Sequence, residues 1–153
     1  MKILIFLFTV FALSYGNQYV FLVNKYDKEI ELEAKIISKI AMASLNESAK
    51  IFIPNISKQE QKVYSKYLNL AQDCESANFV YNKNGSIETS CQNINKLFFT
   101  NNYRRLISNE RYYGAFFWNK SRPNIVFIKK RLKKNSIVLS DEYAPYIEEL
   151  DGL

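Results

Sequence analysis

Apolar residues recur at spacings of three and four between about Lys25 and Leu45, with lysines and glutamates between them. This period predicts an amphipathic helix with one buried face. Its apolar positions are Ile30, Ala34, Ile37, Ile40, Ala41 and Leu45. The range Lys58 to Ala71 repeats the pattern, and Ser57 stands three residues before Glu60, the spacing of a capping box. A second helix is therefore predicted there.

Short apolar runs rich in β-branched and aromatic residues predict strands. The runs are Ala49–Ile53, Ala77–Tyr81, Lys96–Thr100, Tyr113–Trp118 and Asn124–Lys129. The first two flank the second helix, which predicts a right-handed parallel βαβ unit. The last two are separated by Asn119–Pro123 and predict a β-hairpin.

The rest of the pattern predicts short elements. Asn101–Asn109 predicts a short helix, Lys130–Lys134 a basic connection or helix, and Asp141–Leu150 a last helix that follows Ser140 and that Pro145 shortens or shifts. Together these elements predict an α/β sandwich of two or three layers. Its sheet is mixed and partly parallel, with a βαβ unit and a C-terminal β-hairpin plus helix.

The N-terminal segment has the order of an export signal. Lys2 is followed by an apolar run from Ile3 to Leu13 and by Ser14-Tyr15-Gly16. We expect residues 1–16 to be a signal peptide and residues 17–153 to form a single α/β domain in the periplasm, or outside the cell where there is no periplasm. About eleven apolar residues are too few to cross a bilayer, so the mature protein is not expected to span the membrane. An uncleaved anchor is the alternative.

Cys74 and Cys91 are the chain's two cysteines. In an exported protein such a pair predicts a disulfide, either a structural staple or a redox-responsive bond. A metal site is not expected, because the chain has no His and two thiolates do not complete a zinc shell.

The composition also disfavours an enzyme. Histidine, the commonest general base, is missing, and the four glycines form neither a phosphate-binding loop nor a nucleophile elbow. No cofactor is expected. Carboxylate chemistry would require at least two acidic residues that converge in one cleft. Nucleic acid is not an expected partner, since no nucleic-acid module is present.

The segment Trp118–Pro123 is the first candidate surface. Trp118, Lys120 and Arg122 form either a solvated turn whose aromatic residue packs on the core, or a recognition loop with an aromatic and cationic anchor pair. Arg104 and Arg105 belong to the same tentative partner or ligand surface. The net charge of +6 and a second basic run from Lys129 to Lys134 favour anionic lipid, an acidic protein surface or phosphate, unless the run is simply a solvated edge.

The order of elements in the second half resembles a known family. The segments concerned are Gly114–Phe127, Arg131–Leu132 and Ile137–Ser140, and their arrangement resembles the C-terminal half of small periplasmic YfiR-like proteins. The resemblance implies a periplasmic regulator that docks on the outer part of an inner-membrane signalling protein, in the best-known case a diguanylate cyclase. Disulfides stabilise the inhibitor in that family, and this chain departs from the pattern in having just one pair of cysteines.

The architecture is also similar to one lobe of a periplasmic solute-binding protein, although a single lobe lacks the second half that closes over a ligand. Two functions are therefore expected. The first is an exported non-enzymatic regulatory protein that modulates a membrane-anchored signalling partner or a transporter. The alternative is an accessory solute-binding domain for a small anionic ligand.

Overall fold

The computed structural model describes residues 26–45, 48–83, 85, 91 and 95–150. The predicted signal peptide, residues 1–16, lies outside these ranges, so the export prediction stays a prediction. No helix in the described ranges is both long enough and apolar enough to cross a bilayer.

The predicted α/β class is confirmed. Helix α1 covers residues 26–45. The strands are β1 (Ile51–Phe52), β2 (Phe79–Asn82), β3 (Leu97–Thr100), β4 (Tyr112–Asn119), β5 (Arg122–Ile128) and β6 (Ile147–Glu148). The other helices are α2 (Lys58–Tyr64), α3 (Tyr103–Ser108), α4 (Lys129–Lys134) and a 3-10 helix over Asp141–Tyr146. Within the described residues the strands form one six-stranded sheet in the order β1-β2-β3-β4-β5-β6.

The sheet is mixed, as predicted. Strands β1 to β4 are mutually parallel, β5 is antiparallel to β4, and β6 is parallel to β5. The carboxyl ends of β1 to β4 therefore meet at one edge, which we call the carboxyl edge. Strand β5 runs back to the opposite amino edge, where α4 begins. At about 3.3 Å per residue, the eight residues of β4 separate the two edges by roughly 23 Å.

Both faces of the sheet are buried. Helix α1 packs on one face, over an aromatic layer that includes Phe79, Tyr81, Phe99, Tyr113 and Phe127. The other face carries Phe52, Val80, Phe98, Tyr112 and Val126, covered by Leu106 of α3 and by the two cysteines. The predicted disulfide between Cys74 and Cys91 is present, with a Cα–Cα distance of 5.3 Å.

Gly114 lets the aromatic layer close. The register between β3 and β4 shifts next to this residue, where Phe98 pairs with Tyr112 and Phe99 with Gly114. A Cβ at position 114 would lie 2.4 Å from a ring carbon of Phe99 and 2.8 Å from the carbonyl oxygen of Val126. Only glycine fits such a close approach of ring and backbone.

Helix α2 is shorter than the predicted helix over Lys58–Ala71. It ends at Tyr64, and the segment after it runs beside β1. The Ile51 amide donates to the carbonyl oxygen of Asn69 at 2.8 Å, and the Ala71 amide donates to that of Ile51 at 2.8 Å. The edge of β1 thus gains hydrogen bonds to the backbone of Asn69 and Ala71. In a longer helix these backbone groups would bond within the helix instead.

The predicted helix over Asp141–Leu150 is wrong in its second half. The chain forms a 3-10 helix as far as Tyr146, with Pro145 inside it, and then becomes β6. Ile147 and Glu148 pair with Phe127 and Ile128 of β5. Pairing with a neighbouring strand overrides the local helical pattern here.

Candidate interaction surfaces

The β4–β5 hairpin ends in a tight turn. Asn119 pairs with Arg122, and the backbone of Lys120 and Ser121 is left-handed, with φ of 47° and 62°. This is the geometry of a type I′ turn, which favours Asn and Gly at these positions. Lys120 and Ser121 are neither, and each left-handed residue stores about 1 kcal/mol of strain. The turn therefore presents exposed Lys120 and Arg122 at a cost in local stability.

Trp118 packs on the core and remains partly exposed. It is partly exposed and lies on the α1 face, where its ring packs edge-on against Phe116 with 5.6 Å between centroids. The neighbouring Phe117 instead contacts Tyr103 at the start of α3, with centroids 5.6 Å apart. The indole is thus held by the core while part of it faces solvent beside the turn.

The two predicted arginines of α3 point in different ways. Arg104 is exposed. Arg105 turns inward, and its Nη1 donates to the carbonyl oxygen of Asn82 and to Oγ1 of Thr100, both at 3.3 Å. A Cβ at Gly85 would lie 2.8 Å from Nη2 of Arg105, so this guanidinium is also close to the loop after β2. Arg105 joins the ends of β2 and β3 and is not a free surface cation.

Topology divides the exposed cations between the two ends of the sheet. Helix α3 begins directly after β3, so Arg104 lies at the carboxyl edge, as does the β4–β5 turn. We define the carboxyl-edge surface as Arg104, Trp118, Lys120 and Arg122. The basic run predicted at Lys129–Lys134 lies at the amino edge, so the chain carries two separate basic regions.

At the amino edge, α4 presents lysines around a groove. Lys129, Lys130, Lys133, Glu149 and Leu150 line an open groove of about 250 Å³, which we call the α4 groove. Lys129 donates a hydrogen bond to Glu149. This bond, the charge of Lys129 and, more weakly, that of Lys133 hold the pKa of Glu149 below its usual value.

Two arginines near this region bond inward. Arg111 lies over the ring of Phe98, 3.8 Å from its centroid, and donates to the carbonyl oxygen of Cys91. Arg131 donates to the carbonyl oxygens of Leu106 at 2.5 Å and Tyr112 at 2.7 Å. Partial burial lowers the pKa of both guanidinium groups. These arginines stabilise the fold, and the lysines of α4 supply the exposed charge.

A buried polar network joins α1, α2 and the end of β2. Glu33 accepts hydrogen bonds from the hydroxyls of Tyr64 at 2.7 Å and Tyr81 at 2.8 Å. Lys83 donates to Glu60 at 2.7 Å and lies 3.2 Å from Glu33. Burial, together with the charge of Glu33, raises the pKa of both tyrosines. Sequence reasoning missed this network, although Glu33 interrupts the apolar positions of α1 between Ile30 and Ile37.

The network contains two converging carboxylates, the arrangement that carboxylate chemistry would require. The Lys83 ammonium contacts both of them, and the hydroxyls of Tyr64 and Tyr81 donate to the same Oε1 of Glu33 that faces Lys83. These acids are therefore already paired with donors. Among the described residues, no group of acidic or cysteine side chains is arranged to hold a metal ion.

No protein-family model and no curated protein matches the chain. A solved structure described as a conserved domain protein from Vibrio cholerae O1 biovar El Tor is similar, with a TM-score of 0.54 at 9% identity. The match covers 78% of this chain and 59% of that one, so this chain spans well under two thirds of the other's length. At this identity the likeness supports the α/β fold alone.

Proposed function

We propose that this chain is an exported, non-enzymatic regulatory protein that binds an acidic surface of a membrane-anchored signalling partner through its carboxyl-edge surface. The observation that carries the proposal is the β4–β5 turn. Lys120 and Ser121 adopt left-handed backbone without the residues that relieve its strain. Departures from local sequence rules concentrate at functional sites, and here the departure keeps a cation at the tip.

The residues around the turn suit a protein partner. Trp and Arg are enriched at the centres of interfaces because they bury a large area and donate several hydrogen bonds. Partly exposed Trp118 is held by Phe116, so binding would cost little side-chain entropy. Lys120, Arg122 and Arg104 supply positive charge at the same edge, which favours an acidic partner surface.

The test is affinity capture of the mature, oxidised protein from the solubilised envelope of its own host. The edge variant Lys120→Asn/Ser121→Gly/Arg122→Gln removes two charges while giving the turn its preferred residues. We expect the wild type to retain a specific membrane protein and the edge variant to lose it. Lys130→Ala/Lys133→Ala is the matched control, because it removes the same charge at the opposite edge.

Trp118 needs its own pair of variants. Trp118→Ala removes the contact with Phe116 and costs stability, whereas Trp118→Phe keeps an aromatic ring there. Binding should fall in both variants if the indole contacts the partner. Equal capture by wild type and edge variant, or capture of no membrane protein, would contradict the proposal. Export itself is tested by the N-terminal sequence of the protein from fractionated host cells, which should begin near residue 17.

A further inference from the structure

Helix α4 carries charge that its own structure does not compensate. Lys129 and Lys130 occupy its first turn, where the helix dipole disfavours cations, and that turn contains no acidic residue. The N-cap residue Ile128 makes no side-chain capping bond. Lys130 and Lys133 are three residues apart, so their like charges repel. Local stability alone therefore does not account for this sequence.

The inward residues of α4 hold it in place. Leu132 is buried in the core cluster on the α1 face. Arg131 binds carbonyl oxygens at the end of α3 and the start of β4. Because these two residues fix the helix, the lysines are presented at defined positions and are not carried on a loose tail.

The α4 groove has an excess of positive charge. Among the residues that the structure describes, three ammonium groups and one carboxylate line it, which gives these groups a net charge of +2. Lys129 is paired with Glu149. Lys134 lies outside the groove, 3.9 Å from Glu110. In the part of the chain that the structure describes, neither Lys130 nor Lys133 has an acidic partner within 4.0 Å. A dianion in the groove would neutralise this excess.

We propose that the α4 groove binds a phosphomonoester. Lys130 and Lys133 contact the phosphate oxygens, Lys129 exchanges its bond with Glu149 for one with the ligand, and Leu150 contacts the apolar part of the molecule. Lysine binds phosphate as a point charge, and a phosphomonoester is largely a dianion at pH 7. A free metabolite and a lipid headgroup share this chemistry. The site is distinct from the carboxyl-edge surface and does not depend on the proposed docking function.

The experiment uses two probes on the oxidised protein. Glycerol 3-phosphate is titrated in solution, with binding followed by the amide NMR signals of α4 and β6. Vesicles of phosphatidylcholine with and without phosphatidic acid are tested by co-sedimentation. Lys130→Ala and Lys133→Ala should each weaken binding about five- to tenfold. Lys134→Ala, which removes the same charge from the same helix outside the groove, should weaken it less than about twofold.

The source of the phosphate follows from the pattern of binding. Saturable binding of glycerol 3-phosphate with the expected variant order supports a soluble ligand. Binding to phosphatidic acid vesicles alone, with the same order, supports a lipid headgroup. No binding to either probe overturns the proposal. An equal loss in Lys134→Ala also overturns it, because the attraction would then be diffuse and not a site.

Glu149 gives a change in the opposite direction. Since Glu149 competes with the ligand for Lys129, Glu149→Gln should strengthen binding about threefold or more. Its pairing with Lys129 is exposed, so thermal stability should barely change. Weaker binding in Glu149→Gln would contradict the proposal that Lys129 exchanges its bond with Glu149 for one with the ligand.

Discussion

Lys83 and Glu33 form an ion pair with 3.2 Å between Nζ and Oε1, and both side chains are largely buried. The pair connects the end of β2 to the inner face of α1, and Glu60 extends it to α2. Removing one partner of a buried pair leaves an uncompensated buried charge. The stability lost in this way is larger than the net stability that the intact pair contributes.

Lys83→Met should therefore lower the free energy of unfolding by about 3 kcal/mol. The double variant Lys83→Met/Glu33→Gln should recover part of this loss, since a glutamine carbonyl still accepts from Tyr64 and Tyr81. Urea denaturation of the three proteins forms the test. A double variant less stable than Lys83→Met would show that the buried charge of Glu33 does not need the Lys83 ammonium to offset it.

Acid should weaken the same network. Burial raises the pKa of Glu60, but hydrogen bonds from Lys83 and Ser57 outweigh it and the net pKa lies below the usual value. The unfolded chain then binds the proton first as pH falls, so the stabilisation is complete above about pH 4.5 and is lost as pH falls further, through the folded pKa. Urea unfolding from pH 7 to 3 should show a shallower loss in Glu60→Gln than in wild type. The exposed Glu75→Gln is the control, and identical slopes for all three proteins would contradict the prediction.

The disulfide should restrict the unfolded chain. Its cysteines are 17 residues apart, for which loop entropy gives about 3 kcal/mol. Cys74→Ala/Cys91→Ala should lose roughly that much in thermal or urea unfolding. Wild-type protein under reducing conditions should behave like the variant. A difference below about 1 kcal/mol would contradict this origin of the stabilisation in the unfolded chain.

Relief of strain in the hairpin turn should stabilise the fold. Lys120→Asn/Ser121→Gly places the preferred residues of a type I′ turn at left-handed positions. We expect a gain of about 1 kcal/mol, seen as a higher melting temperature. Lys120→Ala/Ser121→Ala removes the same charge without relieving the strain and should not be stabilised.

Arg131 should be irreplaceable by lysine. Its Nη1 donates to the carbonyl oxygens of Leu106 and Tyr112, while its Nη2 donates to that of Ile107 at 3.4 Å. A lysine ammonium is a single nitrogen and lacks the planar fork that reaches both places. Arg131→Lys and Arg131→Met should both lose about 2 kcal/mol. Full retention of stability in Arg131→Lys would show that charge alone suffices.

The sequence pattern predicted the elements whose structure is determined by residues close together in the chain. The period of α1, the hairpin around Asn119–Pro123 and the cysteine pair are confirmed. The segment Asp141–Leu150 is different, because its conformation depends on pairing with β5. That strand is about twenty residues away in the sequence, so the local pattern gives no sign of the pairing.

The surfaces show the same division. Exposure of Lys120 and Arg122 follows from the turn, which a sequence can indicate. The inward direction of Arg105 and Arg131 does not, because their partners are backbone carbonyl oxygens that every residue carries. Glu33 was recognisable in principle, since a carboxylate among the apolar positions of a helix requires a buried partner.

The strand order of the sheet has a consequence for the kinetics of folding. Each strand after β1 pairs with the strand that precedes it in the chain, so the sheet can grow by sequential addition. Helix α1 is the exception, since Ser44 bonds to the Tyr113 hydroxyl 69 residues away. Helix α1 precedes all six strands in the chain, yet it reaches its full set of contacts only after β4 has been added.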